Sequence, residues 1–544
     1  MQIFPPLNQP DDLTGYNGFE SDPVLHQMIL EQAPWSVPLL TEMGAKVGDA
    51  DWQNQGRLAN RHKPELVAFT RQGERIDEVE FHPAWHRLME AGVKAGVHSL
   101  AWVEPRPGAH QARVGLHYLL TQIEASVGCP LTMTFAAVPA LRRQPELSAL
   151  WEPRLTSREY DFGLRLPELK RGCLAGMAMT EKQGGSDVRA NTTSAEPLAD
   201  GTYRLQGHKF FCSAPMCDVF LTLAQLPQGL TCFLVPRVLP DGTRNRMHVQ
   251  RLKDKLGNHA NASSEIEYHG AIAWRVGEEG RGVPTIIEMV NHTRLDCVVG
   301  TTSLMRAALV QALHHCRQRF AFGKRLVQQP LMRNVLADLT LDWEAALQLM
   351  MRLAAGYGSD NEQEAHFVRL ATAVSKFWVC KRGARFCQEA MECLGGSGYV
   401  EESVMPRIYR EMPLASIWEG SGNVICLDVL RAVQKTPHTL DLFFVELEKT
   451  RGADRRLDQW VENLKASWFR AEDAEVRARR LVERMALALQ ASLLLRNSPG
   501  FMADAFCLSR LGEHNTSEFG TLAAGTPLEA MLERGWQSGV PATV

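Results

Sequence analysis

A chain of 544 residues is too long for one ordinary domain and predicts three to four. With 45% hydrophobic, 22% charged and 8% aromatic residues it is globular in composition, and a net charge of −3 excludes a bulk basic nucleic-acid scaffold. The 12 cysteines are scattered, with no CxxC pair and no Cys/His cluster at zinc spacing, which predicts no metal centre and the reduced core thiols of a cytoplasmic protein.

The opening MQIFPPLNQPDDL has no charged segment followed by an apolar core and so predicts no signal peptide. Residues 1–175 read as a mostly helical N-terminal domain. Apolar residues recur at helical spacing over Leu25–Ala33, which stops at Pro34, over Glu78–Val93, whose helix starts at Pro83, and over Gly115–Ala125. Met133–Ala137 predicts a core helix that ends before Pro139. Phe4–Pro6 and Pro105–Pro107 predict turns or linkers.

Residues 176–282 predict a middle β-domain. It opens on Met179-Thr-Glu-Lys-Gln-Gly-Gly-Ser-Asp187, where the Thr180 hydroxyl, Gly184, Gly185 and Ser186 can present N–H groups and hydroxyls to an anionic or carbonyl-rich ligand. The same residues also suit a plain Gly-Gly turn capped by Ser186 and Asp187. Tyr203–Gln206, Val219–Ala224, Thr231–Val235 and Ser264–Tyr268 predict strands. Lys209-Phe-Phe-Cys-Ser213 places an aromatic pair on a strand, as core or beside a flat ring.

Residues 283–436 predict a helical bundle from Thr302–Phe320, Pro330–Tyr357, Glu362–Leu394 and Asn423–Val433. Arg319, heading Arg-Phe-Ala-Phe-Gly323, suits either a phosphate clamp or a basic helix end. Glu392-Cys-Leu-Gly-Gly-Ser-Gly-Tyr399 suits a glycine cap or a close backbone approach. In Ser416-Ile-Trp-Glu-Gly-Ser-Gly-Asn423, Glu419 stands beside Trp418 ahead of a helix capped by Ser421 or Asn423. Residues 437–544 predict an extra helical domain, with helices over Leu440–Glu448 and Asp458–Leu495. Its longest apolar run, Met485–Leu495, is too short for a bilayer, so no membrane is expected.

Taken in order, these five motifs on a helical, β, helical chain resemble the acyl-CoA dehydrogenase superfamily of FAD flavoproteins, over roughly residues 80 to 433. The resemblance implies an α+β, mainly α fold: an N-terminal helical domain, a middle β-domain and a C-terminal helical bundle, here with the extra C-terminal domain. It implies FAD as cofactor, with Met179, Thr180, Gly185 and Ser186 holding it. Phe211 replaces the family's flavin-stacking Trp, and Ser213 supplies the hydroxyl. Trp418, Gly420 and Asn423 line the cofactor. Arg319, Glu392, Gly395 and Gly396 reach the FAD of a neighbouring subunit, which implies a homotetramer. Glu419 becomes the base that takes the α-proton of an acyl thioester. Trp418, bulkier than the usual Tyr, implies a narrowed pocket and at most weak activity on short or branched acyl-CoA.

Ordinary members of the superfamily end soon after the base. The longer architecture, with Arg251-Leu-Lys-Asp-Lys-Leu-Gly-Asn258 and Cys426-Leu-Asp-Val-Leu-Arg431, resembles the branch tied to the bacterial adaptive response to alkylation damage, whose members bind double-stranded DNA. Arg431 matches an Arg of that branch used at DNA. From Arg431 to Val544 there are 12 Arg and 3 Lys against 15 acidic residues, so bulk charge alone does not predict DNA binding. Arg470, Arg477, Arg480 and Arg484 would form a stripe along one helix, suited to phosphates or to a solvated face.

Overall fold

The computed structural model describes residues 7–468, 473–512 and 516–537. The chain divides into two compact units. One comprises Gln53–Ala109 and Ile123–Asp296, and the other Met1–Trp52, His110–Gln122 and Cys297–Val544.

After the end of the helix Ala50–Arg61, the first unit has a hairpin that periodicity missed: β1 (Glu65–Phe69) pairs antiparallel with β2 (Arg75–Glu80). Glu78–Glu80, ahead of the predicted helix start at Pro83, belongs to this strand. The helix that follows does begin at Pro83 and runs to Ala95; His82 caps it through its ring nitrogen, 3.2 Å from the Ala84 N–H, and Gly96 ends it at φ +79°. The core helix Gly128–Leu141 runs through Pro139 instead of ending before it. Proline gives no N–H to the carbonyl one turn back, Phe135, and the Trp102 indole N–H takes that acceptor at 2.9 Å.

Seven strands make the main sheet: β3 (Ala175–Ala178), β4 (Ser194–Pro197), β5 (Tyr203–Ser213), β6 (Val219–Leu226), β7 (Gly229–Pro236), β8 (Met247–Leu252) and β9 (Ser263–Val276). The four predicted strands are all present, within longer elements. The pairing closes on itself through β6, β7, β9, β5 and β4; β3 adds parallel to β6, and β8 antiparallel to β9. Closure leaves few open edges and fills the interior with alternate residues such as Leu205, Phe220, Phe233 and Ile266.

The second unit contains the bundle helices Pro330–Tyr357, Glu362–Glu392, Met405–Ala415 and Gly422–Lys435, together with most of Gly282–Gln318. Its buried polar centre joins Tyr118 to Asp22 at 2.9 Å and the Trp343 indole N–H to the Tyr118 hydroxyl at 3.1 Å. The tail belongs to the same unit. Its predicted single helix Asp458–Leu495 is two helices, Arg455–Trp468 and Ala474–Asn497. Polar Arg470 and the acidic pair Glu472 and Asp473 interrupt the apolar pattern of the sequence there, and Asp473 sits at φ +57°.

Tail and bundle are joined by buried ion pairs. Arg510 pairs with Asp338 and, at 2.9 Å, with Asp342, which also takes Arg382 at 2.5 Å. Arg534 pairs with Glu344 at 2.6 Å, and Glu446 accepts Arg352 and Arg496, each at 2.8 Å. No helix among the described residues is long and apolar enough to cross a membrane.

Candidate active site

In the first unit the loop after β3 is a tight, internally bonded turn. The Glu181 N–H donates to the Gly184 carbonyl and the Gly184 N–H to the Glu181 carbonyl, both at 3.1 Å. A Cβ on Gly185 would meet the Thr180 hydroxyl at 2.5 Å, so glycine is what lets the turn fold back on Thr180. Gly185 and Ser186 are exposed, Met179 and Thr180 half-buried. The Asn191 side-chain amide holds the Met179 carbonyl at 2.9 Å.

A buried ion pair locks this loop to the sheet. Lys209 of β5 donates to Glu181 at 2.8 Å and to the Leu223 carbonyl at 2.9 Å, and both charged side chains are fully buried. Burial alone would raise the Glu181 pKa. The Lys209 ammonium and the Thr192 and Thr193 donors outweigh it and bring the carboxyl down to about 2. Neither residue stood among the expected cofactor groups, although both lie inside the quoted motifs. Their pairing is a long-range contact that spacing does not reveal.

The register of β5 against β9 slips between Lys209 and Cys212, so Phe210 and Phe211 oppose Glu265 alone. That bulge frees the Phe210 N–H from the ladder, and it donates to the Thr180 carbonyl at 2.8 Å. Phe211 is turned outward, 48% exposed, with Lys253 4.6 Å from its ring centroid. Ser213, half-buried, lies 3.2 Å from the Ser263 hydroxyl. The Phe210 N–H bond to the Thr180 carbonyl thus ties the loop that holds Met179, Thr180, Gly185 and Ser186 to the strand that holds Phe211 and Ser213. They present an open aromatic face and free loop positions, which suit a flat, carbonyl-rich ring.

In the second unit Glu419 precedes the helix Gly422–Lys435, whose N-cap is Ser421; the Ser421 side chain makes no capping bond. Glu419 is half-buried and left-handed at φ +59°, followed by Gly420 at φ +105°. A non-glycine residue in that region costs roughly 1–2 kcal/mol, so surrounding structure must hold it. Lys376, from the middle of Glu362–Glu392, supplies the hold: its ammonium donates to the Trp418 carbonyl at 2.9 Å and the Gly420 carbonyl at 2.5 Å. Lys376 is 1% exposed. Sequence reasoning missed it, although a lone Lys among Ala373, Val374, Phe377 and Val379 was the available signal.

The start of the next helix lies against the same long helix, and a Cβ on Gly422 would meet the Lys381 side chain at 2.7 Å. Trp418 is half-buried, and its indole N–H is buried without a partner among the described residues. A buried orphan donor beside a carboxylate suits a polar ligand atom. Asn423 is exposed, with Arg479 3.5 Å from its side-chain oxygen.

Arg319 donates to the Asn8 carbonyl, while the Asn8 side chain brackets Phe320 with two 2.8 Å bonds. Phe322 and Gly323 both have positive φ and turn a short hairpin, leaving Phe322 97% exposed. Glu392 is exposed at the end of its helix; Gly395, at φ +60°, and Gly396 have open space where a Cβ would stand.

Of the predicted arginine stripe, Arg477, Arg480 and Arg484 lie on the one helix Ala474–Asn497. Arg470 lies outside the described residues. Arg477 is half-buried and donates to the Ser467 carbonyl at 3.1 Å, and Arg484 packs over Trp460 with 4.6 Å to the ring centroid. Arg480 and Arg431 are exposed.

The AidB N-terminal domain family matches residues 8–162, the acyl-CoA dehydrogenase middle domain residues 176–271 and the acyl-CoA dehydrogenase C-terminal domain residues 280–434. AidB of Escherichia coli (strain K12) is 46% identical over 92% of this chain and 93% of its own. Acyl-CoA dehydrogenase family member 11 of Caenorhabditis elegans is 31% identical over 83% of this chain and 76% of its own. The crystal structure of Caenorhabditis elegans ACDH-11 in complex with C11-CoA superposes with a TM-score of 0.85 at 27% identity, covering 92% of this chain and 91% of that one. The chain has the acyl-CoA dehydrogenase fold, and it belongs to the acyl-CoA dehydrogenase family, in the branch that carries an AidB-type N-terminal domain.

Proposed function

We propose that the chain is an FAD-containing flavoprotein of the DNA-alkylation response. In this proposal it binds double-stranded DNA and retains an acyl-CoA dehydrogenase site of weak activity on short or branched acyl-CoA. The observation that carries the dehydrogenase part is Glu419, a half-buried carboxylate held left-handed between two carbonyls that Lys376 grips. A site that maintains such a backbone for no chemical purpose would relax it. Family homologues are flavoproteins, and FAD when bound supplies the hydride acceptor. The chain's own part is to orient the thioester and to receive the α-proton on the Glu419 carboxylate as the β-hydride leaves.

The bound C11-CoA of the Caenorhabditis elegans protein supports an acyl-CoA as the ligand class. Trp418 favours a short or branched chain over that one. A panel from four to eleven carbons tests this: slow reduction by the short members supports the proposal, and fastest turnover of the eleven-carbon thioester overturns the chain-length part.

Likeness to AidB supports the DNA part, as do the exposed Arg431 and Arg480. Duplex affinity measured from low to high salt should fall steeply, and Arg431→Ala and Arg480→Ala should each lower the slope by about one. A slope that neither variant changes removes these two residues from the DNA surface. The exposed Phe322 and Tyr399, 97% and 79% accessible, support subunit contacts of a homotetramer. Twelve buried free thiols support a reducing cytoplasm.

A second interpretation, an ordinary acyl-CoA dehydrogenase with a structural tail, is favoured by one observation: the tail's Arg510 and Arg534 are spent on buried carboxylates of the bundle. Salt-independent, sequence-independent failure to bind duplex would establish it.

A further inference from the structure

We infer that Lys376 is a positioning residue for Glu419, acting through the main chain on either side of it. This rests on Glu419 being the base. A left-handed glutamate between Trp418 and Gly420 has two neighbouring carbonyls that no helix or sheet claims. The Lys376 ammonium binds both, at 2.9 and 2.5 Å, and so fixes the peptide plane just before Glu419 and the one just after Gly420, bracketing the residue. Among the described residues no carboxylate pairs with Lys376, although it is 1% exposed. A buried cation costs free energy unless its bonds are made, so the long helix Glu362–Glu392 and the Glu419 loop are held to one mutual arrangement.

The neighbourhood agrees. The Ser375 hydroxyl is buried without a partner among the described residues, and Lys381, five residues past Lys376, lies where a Cβ on Gly422 would strike it. The helix thus meets the loop before and after Glu419. Removing the ammonium would leave the Trp418 and Gly420 carbonyls without a donor and free the loop to abandon the left-handed turn. The base would then be present but misplaced, which lowers the rate of proton removal without weakening thioester binding.

The test compares the full-length flavoprotein with Lys376→Met, Lys376→Gln and Glu419→Gln. Hydrogen exchange of the segment 416–423 reports the loop, and rapid-mixing reduction by a short acyl-CoA reports the base. Lys376→Met should exchange faster in that segment alone. It should lower the limiting reduction rate about 100-fold and leave the half-saturating acyl-CoA concentration in place. Lys376→Gln, which keeps an N–H donor, should recover part of both, and it decides the matter if the methionine variant does not fold. Unchanged exchange and an unchanged limiting rate in a folded Lys376 variant, with reduction abolished in Glu419→Gln, overturn the inference alone. Reduction at the wild-type rate in Glu419→Gln overturns the role of Glu419 and the inference with it.

Discussion

At the residue scale, three charged side chains organise what the motifs only outline. Glu181 and Lys209 form a fully buried pair, and removing one partner leaves the other charged and alone, at roughly 3–5 kcal/mol. Lys209→Met should therefore lower the melting temperature markedly and release flavin, as read by a thermal scan and by bound cofactor. The double variant Glu181→Gln, Lys209→Met should recover much of the loss. The pH dependence follows from the depressed Glu181 pKa. Its contribution is complete above the usual 4.5 and is lost as pH falls toward about 2, so acid titration of stability should show a proton uptake in that window that Glu181→Gln removes. The motif residues were legible because local spacing carries them. Glu181 with Lys209, and Lys376 with the Glu419 loop, were not, because each pair is brought together by folding over 28 and 42 residues or more.

At the scale of elements, periodicity identified the long helices well. Pro330–Tyr357 appears with the bounds expected from its pattern, and Glu362–Leu394 ends two residues early. Pattern failed where a third element decides the outcome. Pro139 does not stop its helix because Trp102, far along the chain, satisfies the carbonyl that proline strands. Trp102→Phe keeps the ring and removes the donor, so it should cost about 1–3 kcal/mol for an unsatisfied buried carbonyl, measurable by denaturant unfolding. The bulge at Phe210–Phe211 was likewise invisible, since it exists only in the register against β9. It explains why two adjacent phenylalanines on one strand differ: one N–H anchors the loop at Thr180, and the neighbouring ring faces out.

At the scale of the molecule, the tail shares its unit with the bundle. Deleting residues 437–544 would strip Asp338 and Glu344 of Arg510 and Arg534, leaving two buried carboxylates without their ion pairs, while Asp342 would keep Arg382. Such a truncation should be insoluble or melt far below the full chain, whereas Arg431→Ala and Arg480→Ala should melt with it. Length alone suggested a separate extra domain, and charge counting could not reveal that much of the tail's basic charge is consumed inside the fold. The central proposal is that Glu419 remains the base of a flavin-dependent dehydrogenation. Anaerobic titration of the purified protein with a short acyl-CoA, with and without duplex DNA, tests it most directly. The account predicts a flavin spectrum that bleaches slowly in the wild type and at least about 100-fold more slowly in Glu419→Gln; a protein without flavin, or equal bleaching in the two, would contradict it.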